Sequence, residues 1–472
     1  MNKTFIHFIA IGLSALSLQL ARPAIAESLP EQTRTRLAAT VAEFYERAGP
    51  PAVTVLVDRK GETVFEFSIG LADIAEQRAP GSDSVFAIGS ITKSFTALAT
   101  LQLVDAGKVS LDDTVGKWLP DYAGPARDVT VSHLLDHTSG IPNYTEIAPL
   151  YPKLERNAWM RDEMVANFAP LPLQFEPGTR WSYTNSGYYL LGLIIERASG
   201  LDYYEYLGRN VFAPLGMTRS FSGNDAEIVP GRVRGYRVRN GVTNNASPWH
   251  YLVPFSAGSL LSTAKDLARY RRGVFTSPQF SPSLRALVTR TVPLQDGTAN
   301  LYALGGLIDS EFGGHRKLSH SGEIFGFHSD HAYYPAEDLT IVVLTNRAGL
   351  MPSPVSLERK LARILLDVQA PDTLPVAIKP VELERYAGDF DLRPFLFGPE
   401  RYTFAIENGS LVVKIGGAEA PGLPLVPVGR HRFAMALDDE WTFDFDVPQR
   451  GPASGFTMHV ADGRLTGYRA TH

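Results

Sequence analysis

Ser90 and Lys93 stand three residues apart in the stretch Ala87-Ile88-Gly89-Ser90-Ile91-Thr92-Lys93-Ser94-Phe95. On a helix that spacing puts both side chains on one face. A lysine amine kept neutral by burial can take the proton of a serine hydroxyl, so Ser90 is a candidate nucleophile and Lys93 its candidate base. The small residues before Ser90 suggest a turn running into a helix, whose first N–H groups and dipole favour developing negative charge. Phe95, Leu98, Leu101 and Val104 recur at helical spacing and predict an apolar stripe that anchors this helix.

The spacing recurs at Ser262-Thr263-Ala264-Lys265, but there it continues as Asp266-Leu267-Ala268-Arg269-Tyr270. Ser262 or Thr263 therefore reads as a helix N-cap with Asp266 closing the box. Two other short patterns carry usable groups. Tyr183-Thr184-Asn185 opens a predicted helix through Tyr188, Leu191, Ile194 and Ile195, and His320-Ser321-Gly322-Glu323 precedes a region of strand character. A tyrosine, with a reference pKa near ~10, acts as a base only beside positive charge, and Lys93 is the obvious source. His133 and His137 are spaced for zinc, but the zinc-peptidase pattern needs a glutamate where this chain has Leu134. They read instead as a helix end packed near the cleft, and His320, His328 and His331 as residues of a strand region, so no metal and no cofactor are expected.

These groups need a large scaffold, and 472 residues with 44% hydrophobic content provide one. A net charge of −5 and no basic run argue against nucleic acid as a partner. Cysteine is absent, so neither disulfides nor a thiol nucleophile enter the argument. Lys3, an apolar run from Phe5 to about Leu20 and Ala24-Ile25-Ala26 read as a signal peptide over residues 1–26, cleaved after Ala26. The expected location is periplasmic or secreted, with no membrane span after cleavage.

From Glu31 to Arg47 the pattern is that of an amphipathic helix. Two strands follow, Ala52–Val57 and Thr63–Ile69, and a buried strand and a helix are expected at Leu339–Leu344 and Leu357–Leu366. Residues 27–368 form the expected first domain, 369–380 a linker, and 381–472 a second domain of different texture. There Asn408-Gly409 and Asp462-Gly463 mark hairpins, and Trp441, Phe443, Phe445 and Val447 alternate, which suggests a small antiparallel barrel or sandwich.

With Ser90-x-x-Lys93, Tyr183-x-Asn185 and His320-x-Gly322 in that order, residues 30–367 resemble the penicillin-recognising serine hydrolases, in particular class C β-lactamases and DD-peptidases. His137-Thr138-Ser139-Gly140, Pro214-Leu215-Gly216-Met217 and Ser262–Leu267 are similar to that family too. The resemblance implies an α/β (α+β) fold, a sheet flanked by helices with an all-helical part beside it. It implies that Ser90 attacks a carbonyl, Lys93 and Tyr183 shuttle the proton, Asn185 holds the substrate amide, and His320 and Gly322 line the opposite wall. The N–H groups of Ser90 and Glu323 would form the oxyanion hole. Class C enzymes carry Lys-Thr-Gly at the third motif. The His-Ser-Gly form here resembles DD-carboxypeptidases and D-aminopeptidases and replaces a permanent charge by one that titrates. The last domain resembles the lipocalin-like barrels of D-aminopeptidase-type members, which implies that a barrel loop reaches the cleft. The expected activity is hydrolysis, through an acyl-Ser90, of D-amino-acid peptides or small esters, with weak β-lactamase action. The alternative is a non-catalytic or slowly deacylating penicillin-binding or sensor protein. Ser90→Ala should abolish labelling by an active-site serine reagent while Ser262→Ala leaves it intact; undiminished labelling of Ser90→Ala would remove Ser90 from the chemistry.

Overall fold

The computed structural model describes residues 29–148, 150–154, 159–247, 249–392, 401–460 and 463–470. The leader expected at 1–26 and the Asp462 of the second hairpin turn lie outside them. Seven antiparallel strands form one sheet in the order Glu62–Gly70, Ala52–Arg59, Leu339–Thr345, Phe327–Tyr334, His315–Ile324, Leu307–Phe312, Tyr302–Ala303. The late strand Leu339–Thr345 thus inserts beside the first hairpin, with Val55 opposite Val343. Val53, Val55, Val57, Ile341 and Val343 pack with the helices Glu31–Ala48 and Pro354–Leu366, whereas Leu56, Val342 and Leu344 join the core on the other face. Both faces are covered, which fits the largely apolar runs of Ala52–Val57 and Leu339–Leu344.

The other face carries the helical layer. At its centre lies the helix Thr92–Asp105, and here the expected single stripe is too narrow: Thr92 to Leu101 are all buried, so the helix is enclosed on every side. Its hydroxyls are satisfied internally; Thr96 donates to the Ser256 carbonyl at 2.6 Å and Thr100 to that of Thr96 at 2.9 Å. Phe95 stacks on Tyr270 of the helix Ala264–Thr276, with ring centroids 3.7 Å apart. That helix is capped by Thr263, whose side chain accepts from the Asp266 N–H at 3.1 Å. Ser262 belongs to a short strand pairing with Phe86–Ala87. The second Ser-x-x-Lys is therefore a helix start, with the cap at Thr263.

The carboxy-terminal part is a closed barrel of eight antiparallel strands, from Gly388–Leu392 to Gly463–Arg469, which fits the lipocalin-like reading. Asn408 and Gly409 adopt the left-handed conformation expected of an Asn-Gly hairpin and bring Ile406 opposite Leu411. Phe443 and Phe445 point inward, and Phe390, Phe404, Phe443 and Phe445 all lie within 6 Å of Phe456, centroid to centroid. The interior is filled by rings, and closure removes exposed edges. The barrel docks on the helix Pro354–Leu366. Arg363 forks onto Glu440 at 3.3 and 2.8 Å, Lys360 meets Asp439 at 2.9 Å, and Asp438 accepts from the Ser353 N–H at 3.3 Å. This helix belongs to the face of the sheet opposite the enclosed helix. Phe456→Ala should lower the stability of the barrel by about 3–5 kcal/mol in urea unfolding while Ser90 labelling persists; loss of labelling in parallel would show one cooperative unit.

Candidate active site

Ser90 sits in the 3-10 turn Gly89–Ile91 that leads directly into Thr92–Asp105, and Lys93 lies in the first turn of that helix with 0% exposure. The Lys93 Nζ is 3.0 Å from Ser90 Oγ, 2.7 Å from Asn185 Oδ1 and 2.8 Å from the Ala257 carbonyl. Burial holds its pKa well below the ordinary lysine value. A neutral amine has two N–H bonds and one lone pair. The two carbonyl oxygens accept the two hydrogens, which leaves the lone pair for the Ser90 hydroxyl. Tyr183 completes the set, donating its phenol O–H to Ser90 Oγ at 2.7 Å. Burial raises the Tyr183 pKa well above its usual value, so the resting phenol keeps its proton.

Thr184, not Asn185, caps the helix Asn185–Ser199: its side chain accepts from the Ser186 N–H at 3.2 Å. The Asn185 amide is thereby released for Lys93, and its Nδ2 donates to Asn143 Oδ1 at 3.2 Å and to Thr145 Oγ1 at 3.3 Å. Sequence reasoning passed over Asn143 and Thr145. Their only signal is the position just after Gly140-Ile141-Pro142, where the chain turns toward the cleft.

The strand His315–Ile324 forms the opposite wall, and glycine lets it come close. A Cβ on Gly322 would lie 2.0 Å from the Ile88 carbonyl oxygen, and one on Gly89, at φ +52°, would lie 2.9 Å from the Glu323 backbone. These glycines bring the main chains of Ser90 and Glu323 together, so Gly322 provides clearance. Ser90, Asn185, Thr145 and Glu323 line a cavity of about 320 Å³ with Tyr144, Trp249, Phe325 and Ala348; among the described residues no barrel side chain lines it. The implied barrel loop at the cleft is thus not among the described lining.

His320 departs from its sequence reading. It is 1% exposed, its Nδ1 donates to the Ser321 carbonyl at 2.5 Å, and its Nε2 accepts from the Tyr302 hydroxyl at 2.9 Å. Burial pushes its pKa down to about 3, with Lys93 and Arg271 acting in the same direction whenever charged. The imidazole is neutral across the physiological range, so the expected loss of a positive charge near neutrality does not occur, and the ring packs beneath Tyr183 with centroids 6.5 Å apart. His133 and His137 also separate. The helix Val131–Leu135 ends before His137, and His133 Nδ1 accepts from the Thr130 N–H at 3.4 Å in a capping box.

The Beta-lactamase family model matches residues 37–366, more than half of the chain and the whole of this constellation. The chain belongs to the β-lactamase family. It is 27% identical over 420 residues to penicillin-binding protein 4* of Bacillus subtilis (strain 168), a match covering 84% of this chain and 90% of that protein. The D-stereospecific amidohydrolase from Streptomyces sp. superposes with a TM-score of 0.60 at 26% identity, over 72% of this chain and 98% of its own. The octameric penicillin-binding protein homologue from Pyrococcus abyssi superposes with a TM-score of 0.65 at 24% identity, over 92% and 99%, and shares the fold.

In this β-lactamase family member His137 grips the tyrosine segment at three points. Its carbonyl accepts from the Ser182 N–H at 2.9 Å, its Nδ1 accepts from the Thr184 N–H at 3.2 Å, and its ring packs on Tyr183 with centroids 4.4 Å apart. It does so at φ +62°, a conformation that histidine tolerates better than most residues. His137→Asn accommodates that backbone and removes the ring. It should lower kcat about tenfold with KM little changed, yet cost less than about twofold in a Tyr183→Phe background, because the two residues then act as one unit. Equal losses in both backgrounds would mean that His137 supports the fold alone.

Proposed function

We propose that this protein is a serine hydrolase that forms an acyl-enzyme on Ser90 from D-amino-acid-containing amides and peptides or from small acyl esters. The observation that carries the reading is the buried Lys93 amine, held by two carbonyl acceptors with its Nζ 3.0 Å from Ser90 Oγ. In the first step Lys93 takes the Ser90 proton as Oγ bonds to the substrate carbonyl carbon, and the N–H groups of Ser90 and Glu323 receive the oxygen. As the tetrahedral adduct collapses, Tyr183, already on Ser90 Oγ, gives its proton to the leaving nitrogen or oxygen, and Lys93 restores it. Water reverses the sequence and frees the acid. Asn185 orients both Lys93 and the substrate amide. His320, neutral and bonded to Tyr302, supports the floor beneath Tyr183 and adds no charge to the pH dependence near neutrality.

The likeness to the Streptomyces D-stereospecific amidohydrolase supports amides of D-amino acids as the substrate class, and the leader read at 1–26 supports an exported enzyme. Mass spectrometry of the intact protein mixed with a β-lactam, with a D-amino acid amide and with an activated ester tests the reading. An adduct on Ser90 that appears and decays with the amide and the ester is the expected result. An adduct that persists with every reagent would favour a sensor, and no adduct on Ser90 would overturn the assignment.

A further inference from the structure

The Ser90 cavity has an uneven charge. Among the described residues lining it, the one charged side chain is Glu323, 51% exposed at the mouth. Its Oε1 accepts from the Gly349 N–H at 3.0 Å, next to Ala348 of the lining, and its Oε2 lies 3.8 Å from His328 Nδ1. Burial lowers the His328 pKa below the usual imidazole range, so at neutral pH that ring does not cancel the carboxylate. The nearby cations are engaged elsewhere. Arg347 turns its guanidinium to the Ala48 and Gly49 carbonyls at 3.0 and 3.1 Å. Arg232 and Arg234 line a separate cavity of about 510 Å³ beyond Phe325, where Asp225 stands 2.7 Å from the first and Asp73 3.9 Å from the second. His320, where the third motif of class C β-lactamases has a lysine, is neutral and buried. Trp249 and Phe325, with centroids 4.3 Å apart, add aromatic surface to the same mouth. Negative charge beside aromatic rings attracts an ammonium group and repels a carboxylate.

We propose that Glu323, through its side chain, selects the substrate: the cleft takes acyl compounds that carry a protonated amine and disfavours those that carry a carboxylate. This rests on the acyl-Ser90 reading and narrows it. A DD-carboxypeptidase substrate brings a carboxylate to the cleft, whereas an amino-acid amide with a free amine brings the complementary charge. The backbone N–H of Glu323 serves the oxyanion whatever the side chain, so the two roles of this residue can be separated by changing the side chain alone.

The test uses the full chain and three p-nitroanilides that differ in one group: D-alanine p-nitroanilide with its free amine, the N-acetyl form, and the N-succinyl form with its carboxylate. At neutral pH and low salt kcat/KM should fall in that order, with roughly tenfold between first and last, a ratio that shrinks as salt screens the field. In Glu323→Gln the first and last should come within about threefold. A succinyl substrate turned over as fast as the free amine, or a ratio unchanged in Glu323→Gln, would overturn the proposal. An uncharged activated ester, followed by the mass of the Ser90 adduct, separates the two levels. Labelling of Ser90 without charge preference removes only the role of the Glu323 side chain; no labelling removes the acyl-enzyme reading and this proposal with it.

Discussion

The structure turns on one buried amine. Placing the Lys93 nitrogen inside a protein costs free energy if it stays charged, so burial holds its pKa well below the ordinary lysine value, the direction a base requires. The neutral form still needs acceptors for two hydrogens. Asn185 Oδ1 and the Ala257 carbonyl supply them from two different parts of the chain, about 92 and 164 residues away in sequence. The helix Thr92–Asp105 is enclosed along most of its length, with Tyr270 against Phe95 and Ser256 against Thr96, and Lys93 within it is 0% exposed. The core therefore sets the proton affinity of this amine as well as the stability.

A second constraint is close approach of backbones. The Ser90 turn and the strand His315–Ile324, two segments far apart in sequence, come together at the cavity. Side chains at positions 89 and 322 would hold them apart, since the space available ends at 2.9 and 2.0 Å from neighbouring backbone atoms. The sheet fixes the strand, the enclosed helix fixes the serine turn, and glycine permits contact between them. Behind this wall sits a layer of neutral rings, His320, Tyr302 and His137, that supports Tyr183 by packing and hydrogen bonds. Support of this kind holds the Tyr183 hydroxyl 2.7 Å from Ser90 Oγ.

Among the described residues the barrel meets the hydrolase part away from Ser90. Its acidic turn, Asp438, Asp439 and Glu440, meets Arg359, Lys360 and Arg363 of the last helix of the hydrolase part, on the face of the sheet away from Ser90. The segment between the strand Leu339–Thr345 and that helix joins the two regions. Ala348 lines the cavity, Gly349 holds Glu323, and Met351 packs against the barrel core. Docking of the barrel thus bears on the mouth of the site through a few residues of main chain.

Sequence alone determined the parts whose signal is local. Ser90-x-x-Lys93, Tyr183-x-Asn185 and His320-x-Gly322 named the main groups of the site. The β-branched apolar run Leu339–Leu344, the alternation in Trp441–Val447 and the Asn408-Gly409 turn identified the strands and the barrel texture, because period and turn chemistry are written in neighbouring residues. Tertiary structure decided what depends on distant partners. It brought Asn185 to Lys93, 92 residues away in sequence. It carried Asn143 and Thr145 to the same amide, and turned His137 from a helical partner of His133 into a clamp on Tyr183. Protonation belongs to the same class. Whether Lys93, Tyr183 and His320 are charged follows from burial and from hydrogen-bond partners, which residue identity and spacing do not contain.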